Sequence, residues 1–128
     1  MVSRPGDEPG LSSRHCFLLK VRAERLEDYR RAHETVPRAM LDAIAASGWH
    51  NYSIFTDASG LVVGYVECDD FAAARARIAT TTARAEWDAL IGEWFEPLDA
   101  DRPDEGMRLL APAFHLEDQL GDPPTRSM

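Results

Sequence analysis

The sequence predicts an α+β fold with the element order βαββαβ, which gives a ferredoxin-like antiparallel sheet with both helices on one face. Three observations predict it. The hydrophobic period alternates several times between that of a strand and that of a helix. Two strand-like segments in the middle of the chain are separated only by a short turn. The 128 residues amount to one domain, so these elements are expected to share one core.

The first half of the chain predicts a strand, a helix and a hairpin. Residues 15–22 are an apolar run of strand length. An amphipathic helix follows, ending near Gly48, which suits a helix C-terminus. Its core-facing positions recur every three or four residues: Leu26, Tyr29, His33, Val36, Met40 and Ile44. Residues 49–57 and 60–68 then resemble two strands joined by a turn at Ala58, Ser59 and Gly60.

The second half predicts a longer helical region and a last strand. The helical region runs from about Asp70 to Phe95, and the threonines at 80–82 are expected to break it, because β-branched hydroxyl residues favour caps over helix interiors. A last strand is expected at 108–116, where Pro112 indicates an edge position or a bulge. The second part of the helical region carries an apolar stripe: Trp87, Leu90, Ile91, Trp94 and Phe95.

The two ends of the chain are expected to be flexible tails around one domain. Residues 1–13 and 118–128 are rich in proline, glycine, serine and charge and contain little apolar surface, which leaves 14–117 as the domain. With both helices on one face of the sheet, the other face of a monomer is apolar and uncovered. This predicts a homodimer formed through that face.

Charge and cysteine content exclude several classes of function. The net charge of −8 argues against nucleic acid and anionic membranes as partners, because both require a basic surface. No segment resembles a signal peptide or is long and apolar enough to span a bilayer. Cys16 and Cys68 could lie near each other on neighbouring strands, but two reduced thiols in a cytoplasmic protein are expected.

Familiar catalytic signatures are missing from the sequence. The glycines form neither a dinucleotide-binding nor a phosphate-binding loop, and there is no G-x-S-x-G nucleophile elbow. The four histidines are too scattered to form a metal-binding signature. We therefore expect no metal site.

Tyr29 and His33 are the most informative pair of polar side chains. At i and i+4 of a helix they share a face, so the phenol and the imidazole point into one space, whether as core residues or as a site. Pro37 cannot donate the helical hydrogen bond to the His33 carbonyl, so the helix is expected to kink or restart beside the histidine. Such an irregularity indicates a site, although Pro37 is equally suited to begin a second helix.

Tyr52 and Trp87 extend this group of aromatic residues. Each can be read as a core residue, but with Tyr29 and His33 they supply an imidazole, two phenols and an indole. Aromatic rings cover the C–H faces of sugars while polar groups bind their hydroxyls, so this mixture is typical of a monosaccharide site.

Four segments resemble the L-rhamnose mutarotase family: YRRAH at 29–33, GWHNYSIF at 48–55, ARAEW at 83–87 and RPDEGMRLLAPAFHLE at 102–117. Their order and spacing agree with the family from about residue 14 to residue 117. The resemblance implies a dimeric α/β barrel of the ferredoxin-like type that interconverts the α and β anomers of L-rhamnose without a cofactor. It also implies that His33 donates a proton and that Tyr29, Tyr52 and Trp87 contact the sugar.

Two positions depart from the family pattern. Asp88 replaces the second of two adjacent tryptophans, and Pro37-Arg38 stands where the family has Trp-Pro. We therefore expect a more polar pocket wall, in which Asp88 accepts a hydrogen bond from a sugar hydroxyl or acts as a partner base. The sugar can be L-rhamnose or a related 6-deoxy sugar.

Two other functions fit the same sequence. One is a cofactor-free oxygenase or oxidase on the same dimeric barrel, because one architecture hosts many functions. The other is a non-catalytic sugar-binding module in which Tyr29 and His33 are core residues. Oxygen consumption would favour the first, and sugar binding without faster anomer exchange would favour the second.

Overall fold

The structure, a computed structural model, describes residues 13–102 and 105–121. The strands in these ranges are β1 (Ser13–Val21), β2 (His50–Thr56), β3 (Leu61–Cys68), β4 (Phe95–Glu96) and β5 (Arg108–Leu110). The helices are α1 (Leu26–Ala32), α2 (Arg38–Ala46), α3 (Phe71–Ala79), α4 (Thr82–Ile91) and α5 (Leu116–Leu120). Short 3₁₀ turns at Ala23–Arg25 and Gly92–Trp94 precede α1 and follow α4.

The strands form one antiparallel sheet in the order β2-β3-β1-β4, and β5 also pairs with β1. β1 pairs with β3 along most of its length, from Ser13 opposite Cys68 to Lys20 opposite Leu61. The other edge of β1 is shared, because β5 pairs with residues 16–18 and β4 with residues 20–21. The predicted α+β, ferredoxin-like class is confirmed.

One face of the sheet carries the core. Alternate residues of β3 are buried there, and their neighbours point to the opposite face, as the two-residue period of a strand requires. That opposite face leaves apolar surface in contact with solvent, and Phe55 on β2 is 62% exposed. The largest fully buried side chains are Phe17, Ile78, Val21, Val62, Val66 and Cys68.

The turn of the predicted hairpin packs against the end of β1. The amide of Val21 donates to the Gly60 carbonyl at 2.8 Å, which brings the two backbones into contact. Gly60 has φ +97°, and a Cβ atom there would lie 2.0 Å from the Val21 carbonyl oxygen. Only glycine fits this position.

The predicted interruption of the first helix is confirmed. α1 ends at Ala32 with His33 as its C-cap, and α2 begins after Pro37, which is its N-cap residue. The Pro37 carbonyl accepts hydrogen bonds from the amides of Met40 and Leu41, so the proline starts a new helix. The single helix expected from the apolar spacing is therefore two helices with His33 at the junction.

Two other predicted helix boundaries agree with the structure. Gly48 has φ +95°, and the amides of Gly48 and Trp49 donate to the carbonyls of Ala45 and Ile44, which is a Schellman motif. Thr81 caps α4 by accepting a hydrogen bond from the Arg84 amide, so the threonines separate α3 from α4.

Three details of the second half differ from the prediction. The predicted helix end at Phe95 is wrong: α4 ends at Ile91, and Phe95 and Glu96 pair with β1 as a strand. Leu90 is 52% exposed, so the buried stripe follows Trp87, Ile91 and Trp94 and leaves it out. The last strand covers only Arg108–Leu110, since Pro112 cannot donate to a strand ladder.

Cys16 and Cys68 lie on opposite faces of the sheet. Cys16 pairs with Tyr65 and Cys68 pairs with Ser13, and Ser13 and Cys16 are three positions apart on β1, so they point to opposite faces. Cys16 and Cys68 are therefore not close neighbours, contrary to the proximity that the strand order allowed, and both are free.

The ends of the described chain fall near the predicted domain limits. β1 begins at Ser13 and α5 ends at Leu120. Most of the predicted tails 1–13 and 118–128 lies outside the described residues, so this division stays a prediction. Within 13–102 and 105–121, no helix has the length and apolar character needed to cross a membrane.

Candidate active site

A cavity of about 710 Å³ lies between the core-facing side of the sheet and the helices. Its volume is in the range of small-molecule sites. The five residues predicted from the sequence all line it: Tyr29, His33, Tyr52, Trp87 and Asp88. They come from three places, namely the end of α1, the start of β2 and the middle of α4.

The orientation of His33 is set by its position at the C-cap of α1. Its Nδ1–H donates to the Tyr29 carbonyl oxygen at 2.7 Å, one helical turn earlier. A carbonyl oxygen can only accept, so Nδ1 carries the proton and Nε2 is the ring nitrogen left for a ligand. The interruption at Pro37 therefore leaves the imidazole at the end of a helix, bordering the cavity.

Two aromatic rings hold the imidazole in place. The centroid of the Tyr29 ring lies 4.3 Å from that of His33, and the ring of Trp87 stands edge-on to the imidazole at 5.1 Å. Tyr29 is only 3% exposed and also contacts Phe95 of β4. Packing on both sides gives His33 a defined position, which proton transfer requires.

A second aromatic group supports Tyr52. The ring of Trp49 lies 4.9 Å from it and that of Phe17 lies 6.2 Å from it, measured between centroids. Trp49 is itself fixed, because its indole N–H donates to the Ala74 carbonyl at 3.2 Å. Phe17 lies over Gly64, where a Cβ atom would come within 2.2 Å of the ring. Tyr52 thus projects from a rigid wall.

Burial keeps both phenols of the cavity protonated. It raises the pKa of Tyr52 to about 12, and the positive charge of Arg84 offsets a small part of this effect. Burial also raises the pKa of Tyr29, and the proximity of Tyr52 raises it further. At neutral pH both hydroxyls can therefore donate hydrogen bonds to a ligand.

An ion pair on α4 contributes to the polar lining of the cavity, as does Arg75 of α3. The Nε–H of Arg84 donates to both carboxylate oxygens of Asp88, at 2.9 and 3.0 Å. Both residues line the cavity on either side of Trp87 in the sequence. The rest of the wall near α2 and β2 is apolar, including Val36, Met40, Ile44 and Ile54.

The chemistry of this lining suits a small polyhydroxylated ligand. Aromatic and aliphatic side chains can cover C–H surface, and phenols, an imidazole and an ion pair can bind hydroxyls. Among the residues of 13–102 and 105–121, no three His, Cys, Asp or Glu side chains are grouped so that they could hold a metal ion.

Several lining residues were not predicted from the sequence. Phe17 and Trp49 fall in apolar runs, where nothing distinguishes a cavity wall from a core. Arg84 had a usable signal, since an arginine four residues before an aspartate on a helix predicts an ion pair, but not which side of the helix faces a cavity.

Comparison with known proteins gives a family match over most of the chain. A family model described as L-rhamnose mutarotase matches residues 14–116. A protein of Opitutus terrae named L-rhamnose mutarotase is 32% identical over 111 residues, which cover 81% of this chain and 98% of that protein.

Solved structures share the fold. An L-rhamnose mutarotase from Formosa agariphila superposes with a TM-score of 0.65 at 16% identity, covering 82% of this chain and 99% of that one. A putative antibiotic biosynthesis monooxygenase from Bordetella bronchiseptica superposes with a TM-score of 0.56 at 15% identity, covering 80% and 96%. At these identities the two structures support the fold alone.

Proposed function

The chain belongs to the L-rhamnose mutarotase family, and from this membership we propose that it interconverts the α and β anomers of L-rhamnose or a related 6-deoxy sugar. The observation that carries the proposal is the position of His33. Its Nδ1–H is held by the Tyr29 carbonyl, and its ring lies between Tyr29 and Trp87 at the cavity wall.

Mutarotation requires two proton transfers. The bond between C1 and the ring oxygen breaks, the ring oxygen gains a proton, and the anomeric hydroxyl loses one as it becomes the aldehyde. Closure on the other face of the aldehyde reverses these transfers and yields the second anomer. The reaction needs no redox step, and side chains with water can carry both protons.

We assign the proton at the ring oxygen to His33. In the imidazolium form, Nδ1–H stays on the Tyr29 carbonyl and Nε2–H is donated to the ring oxygen, which takes the electron pair of the C1–O bond. The proton of the anomeric hydroxyl passes to water. On closure, neutral Nε2 takes the proton back, so one imidazole serves both directions. No cofactor is part of this scheme.

The other four residues are proposed to bind the sugar. Tyr29 and Tyr52 are protonated and donate hydrogen bonds to its hydroxyls. Trp87 covers a C–H face beside His33, as aromatic rings do in sugar sites. Asp88 keeps acceptor capacity beyond its two bonds from Arg84 and accepts from a sugar hydroxyl.

A homodimer in the cytoplasm is part of the same proposal. The apolar sheet face that includes Phe55 supports pairing of two copies. The domain at 14–117 is taken as the catalytic unit, in agreement with the family match over 14–116.

The proposal is tested by exchange NMR between the two anomeric signals of L-rhamnose. We expect the wild-type protein to accelerate exchange, also after treatment with a chelator, and His33→Ala to lose about a hundred- to ten-thousand-fold of the acceleration. His50→Ala is the matched control, because His50 is exposed on β2 and does not line the cavity.

Sugar binding can be followed separately from turnover. Trp49 and Trp87 line the cavity, so a bound sugar should change the tryptophan fluorescence of His33→Ala as it does that of the wild type. Unchanged acceleration in a folded His33→Ala protein would remove the histidine from the mechanism. Binding without acceleration in the wild type would indicate a sugar-binding module, and oxygen uptake in its place would indicate an oxidase.

A further inference from the structure

The Arg84–Asp88 ion pair is a charged patch in a cavity wall that is mostly aromatic and aliphatic, with Arg75 of α3 as a further charged residue in the lining. Both residues line the cavity, and their contact uses only Nε of the guanidinium. Within 13–102 and 105–121, no hydrogen bond uses the terminal amino groups of Arg84, so they can bind another acceptor. Arg84 lies at the cavity with Tyr52, and its positive charge lowers the pKa of the Tyr52 phenol, against the larger effect of burial.

The chemistry of this pair matches a hydroxyl group. A carboxylate beside a guanidinium is neutral overall and offers acceptors and donors next to each other. A hydroxyl both donates and accepts, so it can bind the two together. A methyl group at the same place would form a hydrogen bond with neither the carboxylate nor the guanidinium. It would also displace water from both charged groups, which is unfavourable.

The location of the pair beside Trp87, which contacts His33, limits the substituents of the sugar that it can meet. This step rests on the proposed function, in which the ring oxygen of the sugar lies at the imidazole. Trp87 contacts the imidazole, and Arg84 and Asp88 flank Trp87 on the same helix. In a pyranose the substituents nearest the ring oxygen are the anomeric hydroxyl on C1 and the C6 group on C5.

We propose that the Arg84–Asp88 pair binds a hydroxyl group on C6, so that the pocket accepts an aldohexose with a hydroxymethyl group as well as its 6-deoxy counterpart. Arg84 is then a specificity-determining residue, acting together with Asp88. A hydrogen bond to a charged group corresponds to roughly one order of magnitude in binding.

The test compares L-rhamnose with L-mannose, which differs from it only by a hydroxyl group on C6. Exchange NMR measures anomer exchange of both sugars with the wild type and with the double variant Arg84→Met/Asp88→Leu. Methionine and leucine keep the apolar volume of the two side chains while removing their charges. Circular dichroism and a denaturation curve establish that each variant is folded.

A second ion pair provides the matched control. Arg38 and Asp42 on α2 have the same i, i+4 spacing, and Nε of Arg38 lies 3.0 Å from the Asp42 carboxylate, but neither residue lines the cavity. Arg38→Met/Asp42→Leu should therefore leave the ratio of the L-mannose rate to the L-rhamnose rate unchanged.

We expect the wild type to accelerate exchange of both sugars. In the Arg84/Asp88 variant the ratio of the L-mannose rate to the L-rhamnose rate should fall by roughly tenfold. An unchanged ratio, or equal loss for both sugars, overturns the assignment of the pair to C6 while leaving the mutarotase proposal standing. A wild-type protein that accelerates neither sugar overturns both.

Discussion

All three tyrosines of the chain have a raised phenol pKa, but the causes differ. Burial is the first cause for Tyr29 and Tyr52, which line the cavity. Tyr65 lies on the opposite face of the sheet, where partial burial and the hydrogen bond to the Glu67 carboxylate at 2.6 Å raise its pKa. Each environment therefore favours the neutral phenol.

This predicts a late titration of the tyrosines in the folded protein. Phenols of an unfolded chain ionise with a midpoint of about 10. In the folded state, Tyr52 should ionise near pH 12, and the ionisation of Tyr29 is also shifted to higher pH by burial. Phenolate absorbance should therefore show fewer than half of the phenols ionised at pH 10 in the native protein, and half in denaturant.

The same shifts predict loss of stability in alkali. A phenol whose pKa is higher in the folded state contributes its full stability below about pH 10, and this contribution is lost as the pH rises toward the folded value. Tyr65→Phe is the control, since it should remove the earliest part of the native titration and leave the cavity phenols unchanged. If all phenols of the folded protein ionised with a single midpoint near pH 10, the burial of Tyr29 and Tyr52 in the cavity wall would be contradicted.

For single site residues, the sequence was informative where spacing along a helix alone determines which way a side chain points. Tyr29 and His33 are four residues apart on a helix, so their shared face followed from helix geometry. Trp49 and Arg84 could not be assigned in this way. Their role depends on which side of an element borders an internal space, and that is decided by the packing of distant segments.

The turn at Gly60 gives a prediction at the scale of one element. In Gly60→Ala, the new Cβ would overlap the Val21 carbonyl oxygen, and alanine disfavours φ +97°. The free energy of unfolding should fall by about 2 kcal/mol or more, as measured by urea denaturation.

A second glycine should respond in the opposite direction. Gly92 has φ −59° and ψ −35°, and a Cβ there meets nothing within 4 Å. Gly92→Ala should therefore stabilise the protein by about 0.5–1 kcal/mol, because it restricts the unfolded chain. Equal effects of the two substitutions would mean that the close approach of the turn to β1 does not exist in solution.

Element boundaries were predictable where a residue marks them. Pro37, Gly48 and Thr81 each have a local reason to end or begin a helix, and each does so. β4 had no such marker. Phe95 continues the apolar spacing of α4, and only pairing with Val21 of β1 makes it a strand, so its state is set by tertiary contact.

At the scale of the whole molecule, the exposed face of the sheet predicts association. Phe55 on β2 lies opposite Val63 of β3, and both point away from the cavity. Exposed apolar side chains also occur near the C-terminus: Leu109, Leu110, Phe114, Leu116 and Leu120. A stable interface of standard size would bury about 800 Å² on each copy.

Phe55→Asp should therefore convert a dimer into a monomer. A carboxylate buried in an apolar interface without a partner costs several kcal/mol, so the dissociation constant should rise by more than about a hundredfold. Sedimentation equilibrium measures this change. Leu90→Asp is the control, because Leu90 is similarly exposed but lies on α4. A wild-type protein that is monomeric at high concentration would contradict pairing through this face.

The central position of β1 also affects how the chain reaches this fold during synthesis. β1 is translated first, yet one of its edges is completed only by β4 and β5, and 76 residues separate Lys20 from its partner Glu96. At ribosomal rates this interval is roughly 4 to 15 seconds. For that time the nascent chain presents an unpaired strand edge, and pairing of this edge requires the C-terminal segment to close a long loop.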